Sequence, residues 1–291
     1  MRRIYLSIWL VTAFMVLTQF TVANAWWEKG HRIIAANAAA VLPQEMPEFF
    51  RGNAATLVRL SVQPDMWKEF GTELRRSESP DHYLDVEYLA PSPSEFEFQR
   101  DRYVAMRKIN KTMDPARVGM LPYRILEDFQ KLRGAFAQHR KDPSNTSIQQ
   151  EVLFYAGTMG HYAGDTAQPL HLTIHYDGRV DSKGSVKSAK GIHSLFEGEF
   201  VRDHIEQQDS APFVPAPERY EDLRHAIRQA FTTSFAEIDR VYNLEAAGQL
   251  KNPDSQTLEF GRRRLAHGSS FLASLWYTAW VGSKDLDLPD R

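Results

Sequence analysis

The chain has 291 residues, 43% hydrophobic and 25% charged, fractions ordinary for a globular protein with a sizeable core. They exclude an intrinsically disordered chain, a collagen-like one and a polytopic membrane protein. Lys plus Arg number 35 against 37 Asp plus Glu, a net charge of −2, which argues against the broad basic surface of a duplex nucleic-acid binder. There is no cysteine and there are 10 histidines, so disulfides and thiolate ligands are excluded and the histidines carry most of the chemistry.

In chain order, Arg2-Arg3, the uncharged run Ile4 to Phe20 and Ala23-Asn24-Ala25 supply the charged start, apolar middle and small-x-small end of a signal peptide. Residues 1–25 are expected to be removed, leaving one domain over 26–291, exported to the periplasm or outside the cell; an uncleaved anchor is the alternative. A helix is expected from Gly30 to near Pro43, then helices over Phe49 to Leu60, Arg100 to Asn110, Tyr123 to Gln138, Ile148 to Ala167, Ile192 to Glu206, Leu223 to Tyr242 and Thr257 to Val281. Pro169 ends the Ile148 helix. Turn-rich segments mark loops at Ala90 to Ser94, Lys141 to Asn145, Tyr176 to Lys190 and Ser210 to Pro217. Tyr83 to Glu87 is the best, though weak, strand candidate. With no repeat and no shift of composition, the expected fold is all-α, a single multi-helix domain.

The densest chemistry is His161-Tyr162-Ala163-Gly164-Asp165-Thr166-Ala167-Gln168-Pro169-Leu170-His171. His161 and Asp165 are spaced i, i+4 and share a helix face, as do His193 and Glu197. Such a pair is how a helix offers nitrogen and oxygen to zinc, although one pair alone is often just a hydrogen bond. Two pairs plus His171 favour metal, and the lack of cysteine favours catalytic over structural use. Asp65 in Pro64-Asp65-Met66-Trp67-Lys68 and His82 in Pro80-Asp81-His82 sit beside rigid proline turns. His31 follows Trp26, whose freed amino group and carbonyl would form a five-membered chelate.

These residues resemble those of the zinc-dependent phospholipases C and the single-strand nucleases of the S-one/P-one type, from Trp26 to about Val201. The resemblance implies an all-α fold with a trinuclear zinc cleft. It assigns Asp65, His82, His161 and Asp165 to one zinc, His171, His193 and Glu197 to a second, and Trp26, His31 and a bridging Asp165 to a third. Three divalent ions outweigh these carboxylates and leave positive charge for a phosphate ester and its transition state. Asp65 is expected to orient or deprotonate the attacking water. Lys68 stands where the nucleases usually carry Arg, and either pairs with phosphate as a point charge or is simply solvated.

The substrate signals divide. The Trp-x-x-x-Gly-His start and the His171-to-His193 spacing are nuclease-like. Glu197 in Gly191-Ile192-His193-Ser194-Leu195-Phe196-Glu197 is phospholipase-like, and the Gly-rich, Asn-bearing segment of the nucleases is replaced by Ser188-Ala189-Lys190. Phe196, Tyr83 and Trp27 either stack a base, line a choline or acyl pocket, or simply pack. His139, His204, His225 and His267 are read as surface or hydrogen-bonded residues, and His175 as a weaker candidate for substrate contact. The sequence leans toward a zinc phosphodiesterase cleaving lipid head groups, with transient membrane-surface contact, as a monomer. A single-strand endonuclease and 3′-nucleotidase is the close alternative, and a non-catalytic zinc-binding protein the third.

Overall fold

A computed structural model describes residues 26–289; the proposed signal peptide lies outside them. Four helices frame the molecule: Trp27–Ala40, Leu121–Lys141, Thr146–Asp165 and the closing helix Ser255–Gly282. Their starts are written in the sequence. Asn145 Oδ1 accepts the Ser147 and Ile148 N–H groups at 3.1 and 3.4 Å, and Asp254 Oδ1 accepts the Thr257 N–H at 2.8 Å. Each satisfies amide donors that a helix leaves unpaired in its first turn.

The 146–165 helix packs against the 121–141 helix, the closing helix and the N-terminal helix. Its crossing with the N-terminal helix is close enough to select glycine. A Cβ on Gly164 would stand 2.9 Å from His31 Nδ1. Behind this crossing, Phe50 lies between Phe136 and Trp276, with ring centroids 5.3 and 5.5 Å away, and the Trp276 indole donates to Ala156 O at 3.0 Å. Side chains of this size contribute about 1.5–3 kcal/mol each when fully buried.

The all-α expectation stands, with local departures. The Phe49–Leu60 helix is two, Glu48–Arg51 and Ala54–Leu60, interrupted at Gly52-Asn53. The Leu223–Tyr242 helix is also two, Leu223–Phe235 and Ile238–Ala246, broken at Ala236-Glu237. The strand candidate is not one: the Leu84 and Asp85 N–H groups bond singly to His171 O and Val118 O, and Val86–Tyr88 is a 3-10 turn. The one ladder among the described residues lies where a loop was expected. Arg179–Val180 pairs antiparallel with Val186–Ser188 in a short, exposed hairpin. Among the described residues, no helix is long and apolar enough to cross a membrane.

Candidate metal centre

Six elements bring the chemistry together. The N-terminal helix carries His31, the short helix Gln63–Trp67 carries Asp65, and the turn Ser79–His82 carries His82. The end of the 146–165 helix supplies His161 and Asp165, and the turn Pro169–Leu172 supplies His171. His193 and Glu197 come from a bent helix: Ile192–Ser194, a π-helical turn Leu195–Phe200, then Val201–His204.

Asp165 is fully buried at the centre. Its carboxylate lies 3.3 Å from His82 Nδ1, 3.4 Å from His171 Nδ1 and 3.6 Å from both His161 Nε2 and His31 Nε2. On one side His161 Nε2 meets His82 Nδ1 at 2.9 Å and Asp65 Oδ1 at 3.5 Å. On the other, His171 Nε2 meets His193 Nε2 at 3.2 Å, and Glu197 Oε2 lies 2.9 Å from His193 and 3.5 Å from His171. Three groups are compact enough to hold an ion: His31/Asp65/His161 and His82/His161/Asp165, which share His161, and His171/His193/Glu197. The last matches the grouping expected from sequence. The first differs, joining His31 to Asp65 and His161.

The residues fit a metal cluster on grounds of their own chemistry. The outer nitrogens of two rings are fixed by backbone carbonyls: His161 Nδ1 lies 2.8 Å from Ser61 O and His171 Nδ1 2.8 Å from His82 O. A donor is required there, so Nε2 of each ring turns a lone pair inward. Yet both nitrogens of His31, Nε2 of His82, both oxygens of Asp165 and Oε1 of Glu197 are buried without a hydrogen-bond partner. So many orphaned polar atoms in one place are costly unless a cation satisfies the acceptors among them. Burial and then His161 hold His31 well below the usual histidine range; burial and then Lys68 do the same to His82 and His161. Those rings are neutral, as ligands must be. Burial, backed by Asp65, pushes Asp165 well above the usual carboxylate range, so a cation is needed to keep it ionised. Burial works to raise Glu197 as well, but His193 and His171 hold it below that range.

Trp26 is wholly buried and packs on Phe196, centroids 5.6 Å apart, while its indole donates to Gly164 O at 2.9 Å. Its backbone N donates to Glu197 Oε2 at 3.0 Å, so it faces the His171/His193/Glu197 group rather than His31, and its carbonyl accepts the Gly30 N–H at 3.0 Å. Lys68 is neither solvated nor free: it is 8% exposed, and its ammonium is 2.6 Å from Asp65 Oδ1.

The cluster opens into a cavity of about 890 Å³, lined by His82, His171 and His193 at its base. Lys68, Arg75, Arg117 and Lys190 add cationic groups, and Tyr83, Tyr88 and Tyr176 add aromatic walls. Asp85 also lines it, its carboxyl pushed up to about 7 by burial and then by Glu87. Of the three aromatic candidates only Tyr83 reaches this cavity. Phe196 is core, packed on Phe200 and Phe260, and Trp27 packs against Gly198. His175 turns away and accepts the Val180 N–H at the foot of the hairpin. His204 and His225 lie outside the cluster. His139 and His267 also lie outside the cluster, each with one ring nitrogen buried without a partner. From sequence, Asp85 stands in the candidate segment after Pro80 without a role of its own, and Tyr88 and Arg117 are not singled out; the aromatic and charged run from His82 to Tyr88 was the available signal.

The family model of the S1/P1 nucleases matches residues 26–252. The chain belongs to the S1/P1 nuclease family. A curated relative from Bradyrhizobium tropiciagri, named a probable serine protease, is 28% identical over 203 residues, 60% of this chain and 25% of that protein. This family member thus spans a quarter of the length of that relative. Among the described residues no serine hydroxyl hydrogen-bonds a histidine ring of the cluster. Two solved structures are also similar to it. Alpha-toxin from Clostridium absonum has a TM-score of 0.46 and 12% identity, covering 90% of this chain and 67% of that one. Clostridium perfringens alpha-toxin from an avian strain has a TM-score of 0.43 and 16% identity, covering 89% and 65%.

Proposed function

We propose that this protein is an exported, zinc-dependent phosphodiesterase whose substrate is single-stranded nucleic acid. The observation that carries the reading is the cavity above the buried His/carboxylate cluster, which joins cations to tyrosine walls. Phosphates call for the former and unstacked bases for the latter. Lipid head groups, toward which the sequence leaned, also suit aromatic walls where they carry choline, but one head group needs fewer cationic groups than a run of phosphates. They become the second reading because Met66, Phe70 and Leu74 are exposed beside Lys68 and Arg75, a lipid-facing combination.

Trp26, His31, Asp65, His82, His161, Asp165, His171, His193 and Glu197 would hold the metal, with three zinc ions as the proposed number. Zinc there supplies Lewis acidity to phosphoryl oxygens and to water. Asp65, facing both His82 and His161, orients the attacking water and accepts its proton. Lys68 holds Asp65 in place and presents positive charge to the phosphate as the reaction builds negative charge on it. Tyr83 offers a ring for stacking, and the near-neutral carboxyl of Asp85 can donate as well as accept a hydrogen bond to a base edge. Cleavage after Ala25 would free the Trp26 amino group.

Single-stranded DNA and phosphatidylcholine vesicles, assayed side by side with zinc-loaded and chelator-stripped protein, test this. Zinc-dependent cleavage of the DNA is the expected result. Cleavage of the lipid alone would overturn the nucleic-acid reading in favour of the second, and zinc binding with neither activity would leave only a binding protein.

A further inference from the structure

The hairpin of residues 179–188 is an excursion between two points of the chain that a single side chain ties together. Asp177, just before it, accepts the N–H of Gly191 at 2.9 Å and that of His193 at 3.3 Å through one oxygen, Oδ1. The two amides open the helix that carries His193, so the carboxylate caps that helix and closes the foot of the hairpin at once. Beyond the clasp, the hairpin has separate moorings. Gly178 N–H donates to the Tyr242 hydroxyl at 3.1 Å, the Arg179 guanidinium lies 3.9 Å from the centre of that ring and pairs with Asp239, and Val180 N–H reaches His175 Nδ1. The tip is tied internally, with Asp181 accepting from Lys183 N, Ser185 N and Lys187 Nζ. The hairpin touches none of the clustered ligands by hydrogen bond or ion pair among the described residues. It nevertheless supplies Val180, Gly184 and Val186 to the cavity wall, with Lys190 at its foot, and its tip comes near Arg117 on the opposite side.

We propose that Asp177 is a positioning residue that fixes His193 independently of the hairpin, and that the hairpin is a substrate-selecting wall. The wall rests on the nucleic-acid reading above; the positioning role does not. A carboxylate outside the ligand set that orients one ligand commonly changes metal affinity by about 10–100-fold when removed. Its backbone partners define the effect here: losing the cap lets the first turn of the helix fray, and His193 moves relative to His171 and Glu197.

Three variants test the proposal: Asp177→Ala, Asp177→Asn, which keeps Oδ1 as an acceptor, and a chain in which residues 180–188 are replaced by a short Gly-Ser link. Zinc is titrated against a chromophoric chelator in each, and melting is recorded with zinc removed. Asp177→Ala is expected to hold its weakest zinc about 10–100-fold less tightly. Its zinc-free melting temperature should stay near the parent's, and Asp177→Asn should restore most of the affinity. The hairpin replacement is expected to keep the parent's zinc content while KM for single-stranded DNA rises about tenfold, more than kcat changes. Parent-like zinc affinity in Asp177→Ala overturns the positioning role. Zinc loss in the hairpin replacement overturns the independence of wall and ligand, and that measurement is decisive even if Asp177→Ala fails to fold. A parent that binds zinc, loses it in Asp177→Ala and cleaves no DNA supports the positioning role and overturns the nucleic-acid reading instead.

Discussion

Asp165 shows what a single buried carboxylate does with and without a counter-charge. It faces four imidazoles and has no hydrogen-bond partner of its own. Burial raises its pKa in the metal-free fold. A carboxyl raised above its unfolded value favours the fold at low pH and opposes it as pH rises through that value and it must ionise. The consequence is an effect of opposite sign in the two states. Asp165→Asn in zinc-loaded protein should lose bound metal and activity and melt lower. In chelator-stripped protein at pH 8 the same variant should melt at or above the parent, because no buried charge has to form. Scanning calorimetry of both forms decides it, and a lower melting temperature in both would remove the reading of Asp165 as a metal-dependent charge.

At the scale of elements, the bent helix 192–204 shows where sequence spacing stops being informative. His193 and Glu197 at i, i+4 predict a shared face, and the structure brings them to 2.9 Å. The spacing says nothing of the π-helical turn Leu195–Phe200 on which Glu197 sits. That turn depends on a partner 171 residues away in sequence, where Trp26 N meets Glu197 and the Trp27 ring covers Gly198. A Cβ on Gly198 would come within 2.4 Å of Trp27 Cε2. Gly198→Ala is therefore expected to cost about 1–3 kcal/mol by overpacking and to lower zinc affinity with it, measured by urea unfolding and metal titration. An unchanged midpoint would mean that the turn tolerates the displacement. The break at Ala236-Glu237 was illegible for a similar reason, since no Gly or Pro announces it. The Gly52-Asn53 break did carry its signal. The hairpin was read as a loop because its exposed Lys and Ser residues carry no alternation of apolar and polar positions.

Across the whole molecule, the clustered side chains come from sequence positions between 31 and 197, and no disulfide joins the segments that carry them. Five histidines and three carboxylates occupy space that hydrocarbon would fill more cheaply. Metal bound there cross-links helices as well as preparing chemistry. A ligand at a thousandfold excess over its Kd stabilises by about 4 kcal/mol, so stripping zinc should lower the melting temperature by about 8–16 °C. Melting that ignores chelator would show a fold that carries its orphaned acceptors unaided. The helical architecture and most of the cluster were legible because helical periodicity and ligand spacing are local. The cavity wall was not, because Asp85, Arg117 and Lys190 become neighbours only through packing.

One backbone detail bears on how the folded chain is born. Trp26 and Trp27 both adopt left-handed torsions, with φ of 39° and 32°, each disfavoured for an L-residue by about 1–2 kcal/mol. A residue that opens a polypeptide has no φ. Severing the bond before Trp26 would abolish the first of these penalties outright while leaving its ring and backbone nitrogen where they sit.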